Sequence, residues 1–173
     1  LEFRRVLFRS LHAALLRHES PAAAVVDLNE FVLARSAANR FLTLWVGVFS
    51  SDGSVTYVDA GHGHWAQVNG DKVTVHHAAS SPLVGAFDDI DFVDVEIQLC
   101  PGERIVLMTD GIPEQPAPDG EQFGSDRVQS VLATTRTCKE DVTELLAAVR
   151  LWSNAADLAD DTTVASVRVI EPS

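Results

Sequence analysis

Two glycine-containing turns, each following an apolar segment, place the strongest constraint on the fold. Ser51-Asp52-Gly53-Ser54 follows the segment 41–49, and Asn69-Gly70-Asp71 follows the segment 65–68. Asp-Gly and Asn-Gly pairs supply the positive backbone φ angles that tight β-hairpins need. Each turn continues into a second run rich in β-branched residues, so the sequence predicts two antiparallel hairpins.

Three further segments have the pattern of strands. Residues 93–99 alternate apolar and polar side chains, which predicts a half-buried strand, and residues 104–108 and 163–170 are mainly apolar or β-branched. The segment 41–49 carries large apolar side chains on both faces, which predicts a strand in the middle of a layered fold. The dominance of hairpins favours antiparallel sheets over a parallel doubly wound fold.

Helix signals lie before and after this strand-rich region. Ser20-Pro21 has an N-cap serine followed by a proline at the first helical position. Ser125 is placed to cap a second helix, and Thr137 and Glu140 have the spacing of a capping box before a third. Antiparallel sheets with helices outside them predict an α+β fold.

Composition limits the classes of function. The chain has 173 residues, enough for one domain with a buried core, and no apolar run reaches the ~20 residues of a membrane span. A formal net charge of −12 argues against binding nucleic acid through its phosphates. Cys100 and Cys138 lack CxxC spacing, which predicts reduced thiols. We therefore expect a cytoplasmic protein with no membrane insertion by this segment and no nucleic-acid partner.

The first ten residues are predicted to be foreign to the rest of the chain. They read LEFRRVLFRS, a string whose back-translation resembles a common sequencing adapter. We interpret residues 1–10 as a translated artefact rather than a targeting peptide, and we exclude them from the fold. Residues 11–173 are then expected to be part of a domain whose natural reading frame begins further upstream.

Two acidic turns that adjoin apolar strands form the candidate chemical site. Asp110-Gly111 follows the strand 104–108, and Asp160-Asp161 precedes the strand 163–170. If these strands are neighbours, the two turns lie together. Mg²⁺ and Mn²⁺ prefer oxygen ligands and retain several waters, so few carboxylates suffice to hold them. Either turn alone is more typical of a solvated aspartate, and only the pair favours a metal site.

Four histidines are candidate ligands for a different metal, zinc. His62 and His64 would share one face of a strand, and His76-His77 would be their partners in a zinc site. Nothing in the spacing selects these four residues as a set. Roles in turns and packing are therefore favoured for the histidines.

An ordered set of short motifs resembles one protein family. The motifs are Phe41-Leu42-Thr43-Leu44, Tyr57-Val58-Asp59-Ala60-Gly61-His62, Pro82-Leu83-Val84-Gly85, Pro101-Gly102-Glu103, Met108-Thr109-Asp110-Gly111, Glu121-Gln122-Phe123-Gly124 and Asp160-Asp161-Thr162-Thr163. Each is weak alone, but in this order they resemble the C-terminal two-thirds of the phosphatase domain of SpoIIE/RsbU-type proteins. That domain belongs to the metal-dependent PPM phosphatase superfamily, and the resemblance covers nearly all of residues 11–170.

The resemblance implies both a fold and an activity. The implied fold is a four-layer αββα sandwich of mainly antiparallel sheets, here incomplete at the N-terminus. The implied activity is a protein serine/threonine phosphatase, in which a binuclear Mn²⁺ or Mg²⁺ centre activates a water that attacks the phosphoserine or phosphothreonine directly. The implied substrates are phosphorylated anti-anti-sigma proteins of the STAS type in bacterial partner-switching pathways, and a sensor domain is a possible upstream neighbour.

The resemblance also implies roles for individual residues. Asp110 and Asp160 correspond to metal ligands of the family, and no side chain is implied as the nucleophile because water has that role. Asp161 is implied to orient the ligands by hydrogen bonding. Gly111 and Thr162 are implied to support the two turns.

The chain departs from the family pattern before its first hairpin. The family's other metal-binding motifs, a Gly-Asp and an Asp-x-x-Gly-His-Gly, are absent from residues 1–40, and His62-Gly63 comes too late to be the second of them. We therefore expect half of the metal site and at least one strand to lie upstream. We expect the 173-residue chain itself to be inactive and poorly stable, because a sheet edge is left unpaired.

Two other functions stay open at this point. One is a non-catalytic module that has lost its metal centre and only docks a partner. The other is an unrelated metal-dependent hydrolase, which would need histidine ligands near its metal.

Overall fold

The structure is a computed structural model that describes residues 2–35, 41–154 and 158–170. Within these ranges the helices are α1 (Glu2–Leu15), α2 (Pro21–Arg35), α3 (Gly124–Thr134) and α4 (Cys138–Trp152). The strands are β1 (Leu44–Phe49), β2 (Ser54–Ala60), β3 (Trp65–Asn69), β4 (Lys72–His76), β5 (Val95–Gln98), β6 (Arg104–Met108) and β7 (Val164–Arg168). None of the helices in the described ranges is both long enough and apolar enough to span a membrane.

The chain divides into two compact units. The first comprises Leu1–Gly63 with Ala78–Gln98, and the second comprises His64–His77 with Leu99–Ser173. Each unit packs helices against one antiparallel sheet, with strand order β1-β2-β5 in the first and β4-β3-β6-β7 in the second. The predicted α+β class with mainly antiparallel sheets is confirmed.

In the first unit, α2 packs on the sheet through its apolar residues. Val25, Leu28 and Val32 are buried together with Val58 and Ala60 of β2. The predicted N-cap is also confirmed, because the Ser20 hydroxyl accepts a hydrogen bond from the Ala23 N–H (3.2 Å). This cap satisfies one of the backbone donors that a helix start leaves unpaired.

The hairpin between β1 and β2 forms as predicted, but β1 is less buried than expected. β1 is an edge strand in the described sheet, and 44% of Val48 and 40% of Phe49 are exposed. Both residues adjoin the turn at the end of the sheet, where Phe49 pairs with Val55. The prediction of a strand covered on both faces is therefore wrong at this end. In the turn, the backbone N–H and hydroxyl of Ser54 donate to Asp52 and lower the pKa of its carboxyl group.

Helix α1 contains residues that the sequence interpretation set aside. It runs continuously through residue 10 to Leu15, and Leu7 and Leu11 pack against the core of the first unit. The segment excluded from fold reasoning thus has a place in the fold. Its interpretation as a translated artefact stays a prediction.

In the second unit, α3 and α4 cover one face of the sheet. The buried side chains at this contact are apolar: Ala66, Val68, Val73, Val106, Met108, Ile112, Phe123, Val128, Leu132, Leu145 and Val149. The predicted capping box of Thr137 and Glu140 is confirmed at the start of α4, with both reciprocal hydrogen bonds present. The predicted cap at Ser125 is wrong, because α3 already begins at Gly124 and the Ser125 hydroxyl lies 3.3 Å from His77 Nδ1.

A buried ion pair joins the first residue of β6 to α4. Arg104 Nε donates to Asp141 Oδ2 (2.8 Å), and the two side chains are 3% and 0% exposed. Asp141 also accepts hydrogen bonds from the hydroxyls of Thr135 (2.5 Å) and Ser166 (2.6 Å). One carboxylate therefore ties together β6, β7 and the connection between the two helices. Removing one partner of such a pair leaves a buried charge without compensation.

We predict that Asp141→Ala lowers the free energy of unfolding by about 3–5 kcal/mol, because the Arg104 guanidinium is left buried without its counterion. Glu144→Ala, at an exposed position of the same helix, is the matched control and should change it by less than about 0.5 kcal/mol. Urea denaturation followed by circular dichroism measures both. A loss below about 1 kcal/mol for Asp141→Ala would show that the network does not hold the helices on the sheet.

Candidate functional site

The two acidic turns lie side by side because β6 and β7 are paired. The antiparallel register places Met108 opposite Val164, and the ladder continues with the Thr109 N–H donating to the Thr163 carbonyl (3.0 Å). The end of β6 and the start of β7 therefore meet at one edge of the sheet. The expectation that neighbouring strands bring the two turns together is confirmed.

The Thr109 hydroxyl links the two turns directly. It donates to the carbonyl oxygen of Asp161 (2.9 Å) and accepts from the N–H of Thr163 (2.9 Å). Thr109 immediately precedes Asp110, so these bonds connect the turn of one aspartate to the turn of the other. Sequence reasoning included Thr109 in a motif but did not single it out, because the spacing gives no sign of this bridge.

Gly111 allows the turns to approach closely. It is buried, and a Cβ at this position would lie 2.8 Å from the Asp161 carbonyl oxygen and 3.3 Å from the Thr162 side chain. The nearest of these atoms belongs to the backbone, which cannot swing away as a side chain can. The glycine is therefore required by the packing of one turn on the other, in addition to any role in turning the chain.

The carboxylates themselves are exposed. Asp110 accepts a hydrogen bond from the Gly111 N–H (2.9 Å), and Asp160 accepts one from the Asp161 N–H (2.7 Å). In the described part of the chain, no side chain donates to either carboxylate. The Asp161 hydrogen bond to Thr109 is made by its backbone carbonyl, so the orienting role expected of the Asp161 carboxylate stays a prediction.

The donors in this pair of turns suit a hard dication. They are carboxylate oxygens that solvent can reach, which is the ligand type that Mg²⁺ and Mn²⁺ take, and both cations retain water ligands. Among the described residues, no group of three or more His, Cys, Asp or Glu side chains is arranged to hold a metal ion. The two aspartates thus fit as members of an oxygen ligand set rather than as a complete one.

A buried glutamine contacts the second turn from its other side. Gln115 is 3% exposed, and its Oε1 accepts from the N–H of Ala159 (3.0 Å), directly before Asp160. Its backbone carbonyl accepts from the N–H of Phe123 (2.9 Å), which closes the loop that leads to α3. Sequence reasoning missed Gln115, and no local pattern around it could have identified a contact 44 residues away.

The histidines have turn and packing contacts. The buried Asp59 carboxylate accepts hydrogen bonds from the backbone N–H groups of His62 (2.8 Å) and Gly63 (3.0 Å). In the second unit, the ring of His76 stacks on that of Trp65, with centroids 3.8 Å apart. Over the ranges that the structure describes, these residues form no group of three metal-binding side chains.

Comparison with known proteins identifies a family. The model of the family described as Stage II sporulation protein E (SpoIIE) matches residues 5–170. Protein IcfG from Synechocystis sp. (strain ATCC 27184 / PCC 6803 / Kazusa) is 27% identical over 107 residues, which are 61% of this chain and 17% of that protein.

Solved structures match the fold. The PP2C phosphatase domain of SpoIIE from Bacillus subtilis, with a fragment of its regulatory domain, gives a TM-score of 0.76 at 22% identity, covering 94% of this chain and 49% of that one. For the RsbU and RsbW domains of Rv1364c from Mycobacterium tuberculosis, the TM-score is 0.79 at 18% sequence identity. That match covers 98% of this chain and 48% of the other. For the catalytic domain of the serine threonine protein phosphatase PstP, in complex with two manganese ions, the TM-score is 0.68 at 14% sequence identity. That match covers 96% of this chain and 82% of the other.

These matches establish the fold and the family. The chain spans about half the length of the first of these structures and less than a fifth of the curated relative. The structural matches agree with the observed antiparallel sheets and helices, and the predicted PPM-type fold is confirmed. Since the family model extends over residues 5–170 of 173, the chain belongs to the SpoIIE family.

Proposed function

We propose that this chain is part of a metal-dependent protein serine/threonine phosphatase. The observation that carries the proposal is the pairing of β6 with β7, which sets Asp110 and Asp160 on adjacent turns with exposed carboxylates. Membership of the SpoIIE family supports a reaction at a phosphomonoester. The substrate group is then a phosphoserine or phosphothreonine.

In this proposal Asp110 and Asp160 hold Mn²⁺ or Mg²⁺ in a binuclear centre. The two manganese ions of the PstP structure, which has the same fold, support that assignment. When bound, such cations supply a Lewis acid for the phosphoryl group and a nucleophilic water at neutral pH. Asp110 and Asp160 each use one oxygen for a backbone hydrogen bond, which restricts the rotation of the carboxylate and leaves its second oxygen for a cation.

The supporting residues of the proposal act through the geometry of the turns. Gly111 lets the first turn pack on the backbone of Asp161, and Thr162 lies beside it at this contact. The Asp161 carbonyl anchors the second turn to Thr109. Together these contacts fix the two ligand-bearing segments relative to each other before any cation binds.

We further propose the biological setting that the family resemblance implies. The substrate is a phosphorylated anti-anti-sigma protein of the STAS type, the location is the cytoplasm, and a sensor domain precedes the phosphatase in the whole protein. The similarity to a protein with RsbU and RsbW domains supports a partner-switching pathway. Residues 11–173 are the native part of the domain in this proposal, and residues 1–10 are not native.

We predict that Asp110→Asn abolishes most of the Mn²⁺-dependent hydrolysis of a phosphoserine peptide by the protein that carries this domain. Loss of a metal-binding carboxylate should lower this activity by more than the roughly 10–100-fold that is typical when a residue that only supports the ligands is replaced. Phosphate release at saturating Mn²⁺ is the measurement, and circular dichroism checks that the variant stays folded. Asp126→Asn, at an exposed site on α3, is the control and should retain full activity. Full activity of Asp110→Asn would contradict the assignment of Asp110 as a metal ligand.

We predict that Gly111→Ala disturbs the site through the backbone of the second turn. The added Cβ would meet the Asp161 carbonyl oxygen at 2.8 Å, so one turn must shift. Forcing a methyl group into a packed contact costs about 1–3 kcal/mol. We expect a lower melting temperature and a higher Mn²⁺ concentration for half-maximal activity. Wild-type values for both quantities would contradict the proposed close packing of the turns.

A further inference from the structure

The turn that carries Asp160 is held by hydrogen bonds on both sides. On the N-terminal side, the N–H of Ala159 donates to Gln115 Oε1 (3.0 Å). On the C-terminal side, the carbonyl of Asp161 accepts from the Thr109 hydroxyl (2.9 Å). The backbone on each side of Asp160 is therefore fixed, while the Asp160 side chain itself is exposed.

Gln115 is an unusual residue for its position. It is 3% exposed, and burying an amide is unfavourable unless its polar atoms find partners. Both partners are present, because Nε2 donates to the Pro116 carbonyl (3.1 Å) and Oε1 accepts from Ala159. An apolar side chain of similar size would fill the same volume without this desolvation. The contact to Ala159 is the only one of the two that reaches outside the loop.

Thr109 completes the arrangement from within the same segment. Its hydroxyl makes two hydrogen bonds, to Asp161 and to Thr163, and both partners follow Asp160 in the chain. Gln115 contacts the residue that precedes Asp160. Residues 109–115 thus contain Asp110 and both groups that hold the Asp160 turn.

We propose that Thr109 and Gln115 are positioning residues that keep the Asp160 carboxylate beside Asp110 for cation binding. This inference rests on the proposed function, in which both aspartates are metal ligands. Fixing the backbone on both sides of an exposed ligand reduces the conformational entropy that it loses when a cation binds. Supporting groups of this kind typically contribute about 10–100-fold to metal affinity.

The test uses NMR on the protein that carries this domain, with Mn²⁺ as the probe. Thr109→Val removes the hydroxyl, Gln115→Met removes the amide, and Gln115→Asn keeps an amide that is too short to reach Ala159. Thr109→Ser keeps the hydroxyl and removes only the methyl group. Controls are Thr134→Val and Gln129→Met, at exposed positions of α3. The readouts are the Mn²⁺ concentration that half-broadens the amide signals of Gly111 and Asp161, the hydrogen-exchange rate of the Ala159 and Thr163 amides, and the melting temperature.

We expect the half-broadening concentration to rise about tenfold or more in Thr109→Val and in both Gln115 variants. Amide exchange should accelerate at Thr163 in the first variant and at Ala159 in the other two, since each loses its acceptor. Thr109→Ser and both controls should stay within about twofold of the wild type, well below the effect of a supporting group. If Gln115→Met does not fold, Gln115→Asn carries the Gln115 test.

Two outcomes overturn the inference and are distinguishable. If Mn²⁺ broadens the wild-type signals and Asp110→Asn abolishes this, but folded Thr109 and Gln115 variants keep the wild-type midpoint, then these residues only stabilise the fold. If the wild type shows no broadening at Gly111 and Asp161, or Asp110→Asn leaves it unchanged, then the proposed metal site fails and the inference fails with it.

Discussion

The pairing of β6 with β7 is the interaction on which the candidate site depends. Asp110 and Asp160 are far apart in the sequence, and the antiparallel register alone brings their turns to one edge of the sheet. A slip of one residue would turn every side chain of a strand to the opposite face. The hydrogen bonds of Thr109 with Thr163 and Asp161 extend the ladder past its last paired residues and oppose such a slip.

The rest of the second unit holds β6 in place from both of its ends. At its start, Arg104 is fixed by the buried Asp141 carboxylate of α4. Along its length, Val106 and Met108 are buried against the helices. At its end, Thr109 bonds to the neighbouring turn. Exposed carboxylates therefore project from a backbone that is set by the core, which is the arrangement expected of a preorganised cation site.

Local sequence signals predicted the elements of the fold more reliably than their burial. Asp52-Gly53 and Asn69-Gly70 define hairpins because a tight turn needs particular φ angles from adjacent residues, and the capping box at Thr137 is likewise a contact within one turn of helix. The exposure of Phe49 was not predictable in this way, because it depends on which strands flank β1 in the sheet.

The candidate site could be predicted only in part, because several of its contacts join residues that are distant in the sequence. Apolar strands next to Asp110 and Asp160 suggested their proximity, and the strand pairing confirms it. Gln115 left no signal, since its partner is a backbone N–H brought near by the fold of the second unit. The need for a glycine at position 111 also left no signal, because it comes from the carbonyl oxygen of Asp161, which is distant in the sequence.

The most direct test of the central claim is the anomalous scattering of crystals, grown with Mn²⁺, of the protein that carries this domain. The proposed metal centre predicts an anomalous peak bound by carboxylate oxygens of both Asp110 and Asp160. A map at saturating Mn²⁺ with no peak between these turns, or with its peak at the histidines instead, would contradict it.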